Sequence, residues 1–97
     1  MELTFKELLE AIDGKVIVDS NKKEFNNICT DTRKIEDNNI FLALKGENFN
    51  GNKYVEEAVK KGASIAIVDE VLFGDTDIDG TVIKVDNTYD ALLKLAK

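Results

Sequence analysis

Residues 40–68, IFLALKGENFNGNKYVEEAVKKGASIAIV, decide the fold. The stretch opens with an apolar run at 40–44 and closes with another at 63–68, and each run suits a strand that is covered on both faces. Between them, residues 52–61 have the apolar spacing of a helix, and Gly62 is placed to end it. Strand, helix and strand in this order predict an α/β domain with some parallel strand pairing.

Further helix and strand patterns lie on both sides of this unit. They are a helix at 4–12, strands at 15–18 and 81–85, a mixed segment at 25–32 that is a candidate strand, and a last helix capped by Asn87. Thr4 and Glu7 fit the capping box of the first helix, and Gly14 is placed to stop it. The prediction is one domain over residues 1–97, with a small mixed or parallel sheet and flanking helices.

Composition excludes several classes of function. The chain has 97 residues and a net charge of -6, which argues against a nucleic-acid binder because such proteins neutralise phosphates with Lys and Arg. No apolar run approaches the ~18 residues of a membrane span, and the acidic N-terminus is unlike a signal peptide. We therefore expect a soluble, cytoplasmic domain without a membrane partner.

The chain has no His and a single Cys, Cys29. A disulfide framework is excluded, a zinc site is not expected, and neither a Ser–His nor a Cys–His nucleophile pair can form. We expect no catalytic residue and no metal ligand in this chain.

The loop after residues 40–44 has the two glycines of a phosphate-binding P-loop, at Gly46 and Gly51. The P-loop lysine and hydroxyl are missing from their places, since Asn52 stands where the lysine belongs and Tyr54 follows Lys53. Glu47 would also repel phosphate. ATP binding at this loop is therefore not expected.

Two interpretations of this loop remain. It is either a flexible connection in which Gly46 has a positive φ, or a contact loop for a sugar or base. In the second interpretation Asn48 and Asn50 offer donors and acceptors, Glu47 an acceptor, and Phe49 a flat apolar surface. Such groups recognise a neutral polar ring.

The segment TDTRK, residues 30–34, also has two interpretations. It is either a turn in which Asp31 accepts backbone bonds, or an anion contact made by Arg33 beside the hydroxyls of Thr30 and Thr32. Arg33 is the only Arg in the chain, and Asp31 is an equally good ion-pair partner for it. If the strands before the two loops are parallel, both loops open on the same edge of the sheet.

Other polar and aromatic residues receive structural interpretations. Tyr54 and Tyr89 lie on apolar helix faces and are predicted to be core residues whose hydroxyl groups reach solvent. Cys29 is predicted to be a small buried residue. The acidic run at 69–79 lacks the spacing of a calcium loop and is predicted to be solvated.

The segment TDTRKIEDNNIFLALKGENFNGNKYVEEAVKKGASIAIVD, residues 30–69, resembles the N-terminal domain of the Mur ligases, and among them most the MurF type. The resemblance lies in the order [TS]D[TS]R, F-x-A-L, K-G-E-x-F-[DN]-G, helix, G-A-x-x-x-[IV]-V. It departs from the family at residues 37–39, where P-G-D is usual, and at 50–52, where D-G-H is common.

The resemblance implies a domain that binds the UDP part of UDP-N-acetylmuramoyl-peptide. The matching positions are Thr30 and Thr32 in the first segment, and Glu47, Asn48 and Phe49 in the second. Arg33 joins these candidate substrate-binding residues because of its side-chain chemistry, as the anion contact described above. It also implies a longer ligase that uses ATP and Mg²⁺ to add D-alanyl-D-alanine, with a central ATPase domain beginning after Lys97. This chain alone is expected to be inactive, to hold no cofactor, and to be a monomer.

Two alternatives stay open. One is a MurE-type ligase, which adds the third amino acid of the stem peptide one step earlier. The other is a stand-alone nucleotide-sugar-binding module without ligase activity. The motif K-G-E-x-F favours the MurF type.

Overall fold

A computed structural model describes residues 3–74 and 78–96 of the chain. Its helices and strands are α1 (Phe5–Ile12), β1 (Lys15–Val18), β2 (Ile28–Cys29), β3 (Ile40–Leu42), α2 (Val55–Lys60), β4 (Ile65–Val68), β5 (Thr81–Lys84) and α3 (Thr88–Leu95). Short 3₁₀ helices span Thr32–Lys34 and Gly51–Tyr54. Within the described ranges, no helix is long and apolar enough to cross a bilayer.

The five strands form one sheet in the order β1-β5-β4-β3-β2. Strands β2, β3, β4 and β5 run parallel to one another, while β1 pairs with β5 in the antiparallel direction. The register of β1 shifts between Val16 and Val18. This sheet, with helices on its faces, confirms the predicted fold class.

The sheet buries apolar side chains on both faces, which explains the continuous apolar runs of its central strands. Successive residues of β3 alternate, with Ile40 and Leu42 on one face and Phe41 on the other. The first face packs against Leu8 of α1 and Ala91 of α3, while Phe41 shares its face with residues of α2. The domain is therefore layered as helix, sheet and helix.

Helix α1 begins and ends as predicted, with Thr4 as its N-cap and Ile12 as its last residue, but a different residue terminates it. The Thr4 hydroxyl accepts a bond from the Glu7 N–H at 3.1 Å, and the Glu7 carboxylate accepts one from the Thr4 N–H at 2.9 Å. The left-handed residue at the helix end is Asp13, with φ of 52°, and not Gly14. Gly14 serves a different purpose, since a Cβ there would collide with the Ile83 side chain.

The helix predicted at 52–61 forms in two parts. A 3₁₀ turn at Gly51–Tyr54 precedes α2, because the Asn50 side chain accepts the Asn52 N–H at 3.0 Å and holds a tighter first turn. Gly62 ends the helix as predicted, with φ of 122°.

The predicted burial of both tyrosines is wrong. Tyr54 is 37% exposed and Tyr89 is 59% exposed. In α3 the buried positions are Thr88 and Ala91, so Tyr89 points outward beside them. Cys29 is half-buried rather than buried, and its thiol donates to the Asp31 carbonyl at 3.1 Å.

Candidate functional site

Both candidate loops open at the same edge of the sheet. Strands β2 and β3 are parallel, with Ile28 opposite Ile40 and Cys29 opposite Phe41. The segment that begins at Thr30 and the loop that begins at Lys45 therefore both follow carboxyl ends of strands. This is the edge where ligands bind in open α/β sheets.

The loop at 45–50 is a short hairpin closed by backbone bonds. Lys45 and Asn50 pair in the antiparallel direction, and the Gly46 N–H donates to the Phe49 carbonyl at 2.7 Å. Glu47 and Asn48 form its exposed tip. The prediction of a positive φ at Gly46 is wrong, since Gly62 is the glycine with positive φ among the described residues.

This hairpin does not fit an ATP phosphate cradle. The Gly46 N–H is used inside the hairpin, and the Gly51 N–H donates to the Leu44 carbonyl at 2.7 Å. Lys45 is engaged as well, with its ammonium 2.7 Å from the Glu70 carboxylate. A P-loop needs such N–H groups and a lysine directed at phosphate, so the sequence-based exclusion agrees with the geometry.

The TDTRK segment folds as a turn around Asp31. The Asp31 carboxylate caps the 3₁₀ helix by accepting the Arg33 N–H at 2.9 Å, and it also accepts Nε at 3.0 Å and Nη2 at 2.9 Å. Hydrogen bonds from the Arg33 side chain and backbone lower the pKa of Asp31 to about 2, and the carboxylate raises the pKa of Arg33. Asp31 is therefore the partner of Arg33, and an incoming anion would meet a guanidinium that is already paired.

The turn, the hairpin and the start of α2 line an open cavity of about 480 Å³. Its lining residues are Thr30, Asp31, Thr32, Arg33, Phe49, Tyr54 and Glu57. The Phe49 and Tyr54 rings are stacked, with centroids 5.6 Å apart and planes at 11°. We call this space the aromatic pocket.

The charges around the aromatic pocket are paired. Arg33 is held by Asp31, and the Glu57 carboxylate lies 3.6 Å from the Lys61 ammonium. That ammonium also donates to the Thr32 carbonyl at 3.1 Å, which ties the end of α2 to the turn. Rings, hydroxyls and balanced charges suit a flat polar group better than a phosphate.

The structure brings most of the predicted site residues together. Thr30, Thr32, Arg33 and Phe49 line the aromatic pocket. Glu47 and Asn48 do not line it and lie exposed at the hairpin tip, next in sequence to Phe49. They are two further polar residues on the hairpin that carries Phe49.

Sequence reasoning missed two residues of the pocket wall. Tyr54 and Glu57 both line it, although Tyr54 was assigned to the core. They are three residues apart at the start of α2, which is the spacing of neighbours on one helix face. That spacing was the available signal.

A polar network at the carboxyl end of β4 was also missed. The Asp69 side chain is 7% exposed and that of Glu70 39%, so the predicted solvated acidic run is wrong for Asp69. Burial acts to raise the pKa of Asp69, but hydrogen bonds from Thr88 and Asn52 and the charge of Lys45 outweigh it and lower that pKa. Asp75 and Asp77 of the same run lie outside the described residues.

Known proteins resemble this chain along nearly its whole length. A family model described as "Mur ligase family, catalytic domain" matches residues 24–97. A UDP-N-acetylmuramoyl-L-alanyl-D-glutamate–2,6-diaminopimelate ligase of Clostridium perfringens is 38% identical over 90 residues, covering 93% of this chain and 18% of the relative. A UDP-N-acetylmuramoyl-tripeptide–D-alanyl-D-alanine ligase of Bacillus subtilis is 34% identical over 95 residues, covering 97% and 21%.

A solved structure agrees with these sequence matches. MurF from Acinetobacter baumannii superposes with a TM-score of 0.76 at 32% identity, over 95% of this chain and 20% of that one. The chain spans about a fifth of the length of the curated relatives it matches. With a family match over residues 24–97 and a shared fold, this chain belongs to the Mur ligase family.

Proposed function

We propose that this chain is the substrate-binding part of a MurF-type ligase. The ligase joins D-alanyl-D-alanine to UDP-N-acetylmuramoyl-tripeptide in peptidoglycan biosynthesis. The UDP end of the substrate binds at the carboxyl edge of the sheet. The family model carries the description "catalytic domain", and within that domain we assign the described residues to binding.

The aromatic pocket is the observation that carries this proposal. Its stacked rings, from Phe49 and Tyr54, offer an apolar surface for a planar base, and the hydroxyls of Thr30 and Thr32 offer donors and acceptors. In this proposal Glu47 and Asn48, at the exposed tip of the hairpin that carries Phe49, contact the rest of the nucleotide sugar. The matched relatives are named for substrates that carry UDP-N-acetylmuramoyl groups.

ATP and Mg²⁺ belong to another part of the ligase in this proposal. The hairpin does not fit phosphate, because the Gly46 N–H is bonded to the Phe49 carbonyl and the N–H of Gly51, which follows the hairpin, is bonded to the Leu44 carbonyl. The residues described here bind and orient one substrate, and we assign none of them a step in the chemistry.

A MurE-type ligase is the second candidate. The Clostridium perfringens relative, a 2,6-diaminopimelate ligase, is 38% identical to this chain. The resemblance of K-G-E-x-F to the MurF pattern and the superposition on MurF at a TM-score of 0.76 favour the first candidate. Both candidates use a UDP-N-acetylmuramoyl-peptide, so the role of the pocket is the same in each.

Steady-state kinetics of the complete gene product test the proposal. We expect the double variant Thr32→Ala, Asn48→Ala to raise KM for UDP-N-acetylmuramoyl-tripeptide by about tenfold, since two hydrogen bonds of about 0.7 kcal/mol each are lost. KM for ATP should stay within about twofold of the wild-type value. Comparing D-alanyl-D-alanine with a diamino acid as acceptor separates the MurF type from the MurE type.

Asn21→Ala is the matched control, because Asn21 is exposed and lines a cavity with Ser64, at the opposite edge of the sheet. It should leave both KM values unchanged. An equal rise in KM for ATP and for the UDP-sugar in the double variant would contradict the assignment. UDP-sugar binding without ligase activity in the wild type would instead support a stand-alone module.

A further inference from the structure

The two rings of the aromatic pocket belong to one short segment. Phe49 lies in the hairpin, next to its last residue Asn50, and Tyr54 ends the 3₁₀ turn that follows. Phe49 is 48% exposed and Tyr54 37% exposed, so core packing alone does not fix the ring positions. The residues between the rings must hold the segment in place.

Asn52 lies at the centre of that segment and is fully buried. Its amide nitrogen donates to the Asn50 side chain at 2.8 Å and to the Asp69 carboxylate at 2.9 Å. Its amide oxygen accepts the backbone N–H groups of Asp69 at 3.1 Å and Glu70 at 3.3 Å. The segment between the rings is thus bonded to the residues that follow β4.

Both oxygens of the Asp69 carboxylate act as acceptors. Oδ1 accepts from Asn52 and lies 3.4 Å from the Lys45 ammonium. Oδ2 accepts the N–H of Thr88 at 3.1 Å and its hydroxyl at 3.2 Å. An amide in place of this carboxylate would turn one acceptor into a donor that faces another donor.

Glu70 bonds to both ends of the hairpin. Its Oε1 accepts the Asn50 side-chain amide at 3.0 Å and lies 2.7 Å from the Lys45 ammonium. Lys45 and Asn50 are the paired residues at the base of the hairpin. One oxygen therefore fixes the hairpin relative to β4, and a glutamine at this position keeps that oxygen.

We propose that Asp69 and Glu70 are positioning residues for substrate binding, which hold Phe49 and Tyr54 in place through Asn52 and the base of the hairpin. This inference rests on the proposed function and adds to it residues that do not line the pocket. Small displacements of a binding group weaken binding steeply, so the effect of these residues is on substrate affinity.

Kinetics of the complete gene product test the inference, with UDP-N-acetylmuramoyl-tripeptide as the probe. We expect Asp69→Asn and Glu70→Ala each to raise KM for the UDP-sugar by about tenfold or more. The kcat at saturation and KM for ATP should stay within about twofold. Glu70→Gln, which keeps the accepting oxygen, should restore KM to within about threefold of the wild-type value.

Asp79→Asn is the control carboxylate, since Asp79 is 79% exposed and paired with Lys22 away from the hairpin. NMR resonances of the Phe49 and Tyr54 rings give a second readout. They should shift in Asp69→Asn and Glu70→Ala, and stay in place in Glu70→Gln. If Asp69→Asn folds poorly, the NMR readout is still available from Glu70→Ala. Glu70 is partly exposed, so its substitution is the milder change.

Three outcomes would overturn the inference. One is that the two single variants, Asp69→Asn and Glu70→Ala, both fold and both keep the wild-type KM for the UDP-sugar. Another is a fall in kcat together with a rise in both KM values and a lowered Tm. That result indicates a structural role alone. The third is that the wild-type gene product does not use the UDP-sugar. This outcome contradicts the proposed function itself, and it differs from the other two because it is seen without any substitution.

Discussion

Asp31 and Arg33 decide what the turn offers to a ligand. They are two residues apart, and the carboxylate accepts both the backbone and the side chain of Arg33. The single arginine of the chain is therefore neutralised locally. The pocket beside it presents hydroxyls and rings instead of an unpaired positive charge.

The pKa of Asp31 gives a prediction at this scale. In the wild type it is lowered from 3.8 to about 2, so the contribution of Asp31 to stability is full above pH 3.8 and is lost as the pH falls through 2. In Arg33→Gln we expect the pKa to rise part of the way back, because the backbone N–H of residue 33 still donates. Carbon-detected NMR titration of the carboxyl measures it. Lys34→Gln is the comparison variant and should raise the pKa less, because Lys34 acts on Asp31 through its charge alone. An unchanged pKa in Arg33→Gln would contradict the pairing.

Local side-chain chemistry was readable from the sequence. The Thr4–Glu7 capping box and the Asn87 cap both formed, and the Asp90 N–H donates to Asn87 at 2.9 Å. These bonds join residues three apart, so sequence spacing alone specifies them. The burial of Tyr54 and Tyr89 was not readable, because it depends on which part of a helix faces the sheet.

At the scale of elements, the turn after α2 joins two distant parts of the chain. Gly62 has φ of 122°, and its carbonyl accepts the Asn38 N–H at 2.8 Å. A Cβ at Gly62 would lie 2.5 Å from the Asp37 carboxylate and 3.1 Å from the Asp37 Cα. The end of α2 thus closes against the segment that precedes β3.

We expect Gly62→Ala to lower the free energy of unfolding by about 1–3 kcal/mol, from backbone strain together with the close contact to Asp37. Gly46→Ala is the matched control, because a Cβ at Gly46 would meet no atom within 4 Å. That variant should change stability by no more than about 0.5 kcal/mol. Urea denaturation measures both, and equal losses would show that the strain argument is wrong.

The β-α-β unit was predictable because its apolar runs are long and buried on both faces. The start of its helix was missed, because Asn50 was interpreted as a ligand contact, whereas its side chain accepts the Asn52 N–H and forms a 3₁₀ turn. Strand β2 was seen only as a mixed segment. Two residues, Ile28 and Cys29, pair with β3 there, too few to leave a periodic pattern.

At the scale of the whole molecule, the sheet is the shared core of two helical layers. Phe41 is fully buried in the centre of β3, on the face that packs against α2. Leu8 of α1 is buried on the opposite face. Removing packing from β3 should therefore affect the stability of the entire domain.

We expect Phe41→Ala to lower the free energy of unfolding by about 3–5 kcal/mol, a large part of the ~5–15 kcal/mol of a small domain. Tyr89→Ala is the aromatic control, since Tyr89 is 59% exposed. It should cost no more than about 0.5 kcal/mol. Thermal and urea unfolding measure both, and a comparable loss in the two variants would contradict the observed burial.

The site was predictable in outline and not in detail. Parallel strands bring the segments after β2 and β3 to one edge, which is why Thr30, Thr32 and Phe49 meet around one cavity. The bonds from Asn52 to Asp69 join residues 17 apart in sequence, and no local pattern specifies such pairs. The same edge rule, applied to β4, would have directed attention to Asp69.

The two outermost strands have a consequence for contacts between molecules. Strand β2 has only 2 residues, and β1 has 4 residues with an irregular register between Val16 and Val18. A long, regular outer strand presents a row of unpaired N–H and C=O groups on which another chain can add. Strands β1 and β2 present only short or irregular rows of such groups. This disfavours edge-to-edge aggregation of the sheet, whose central strands are strongly apolar.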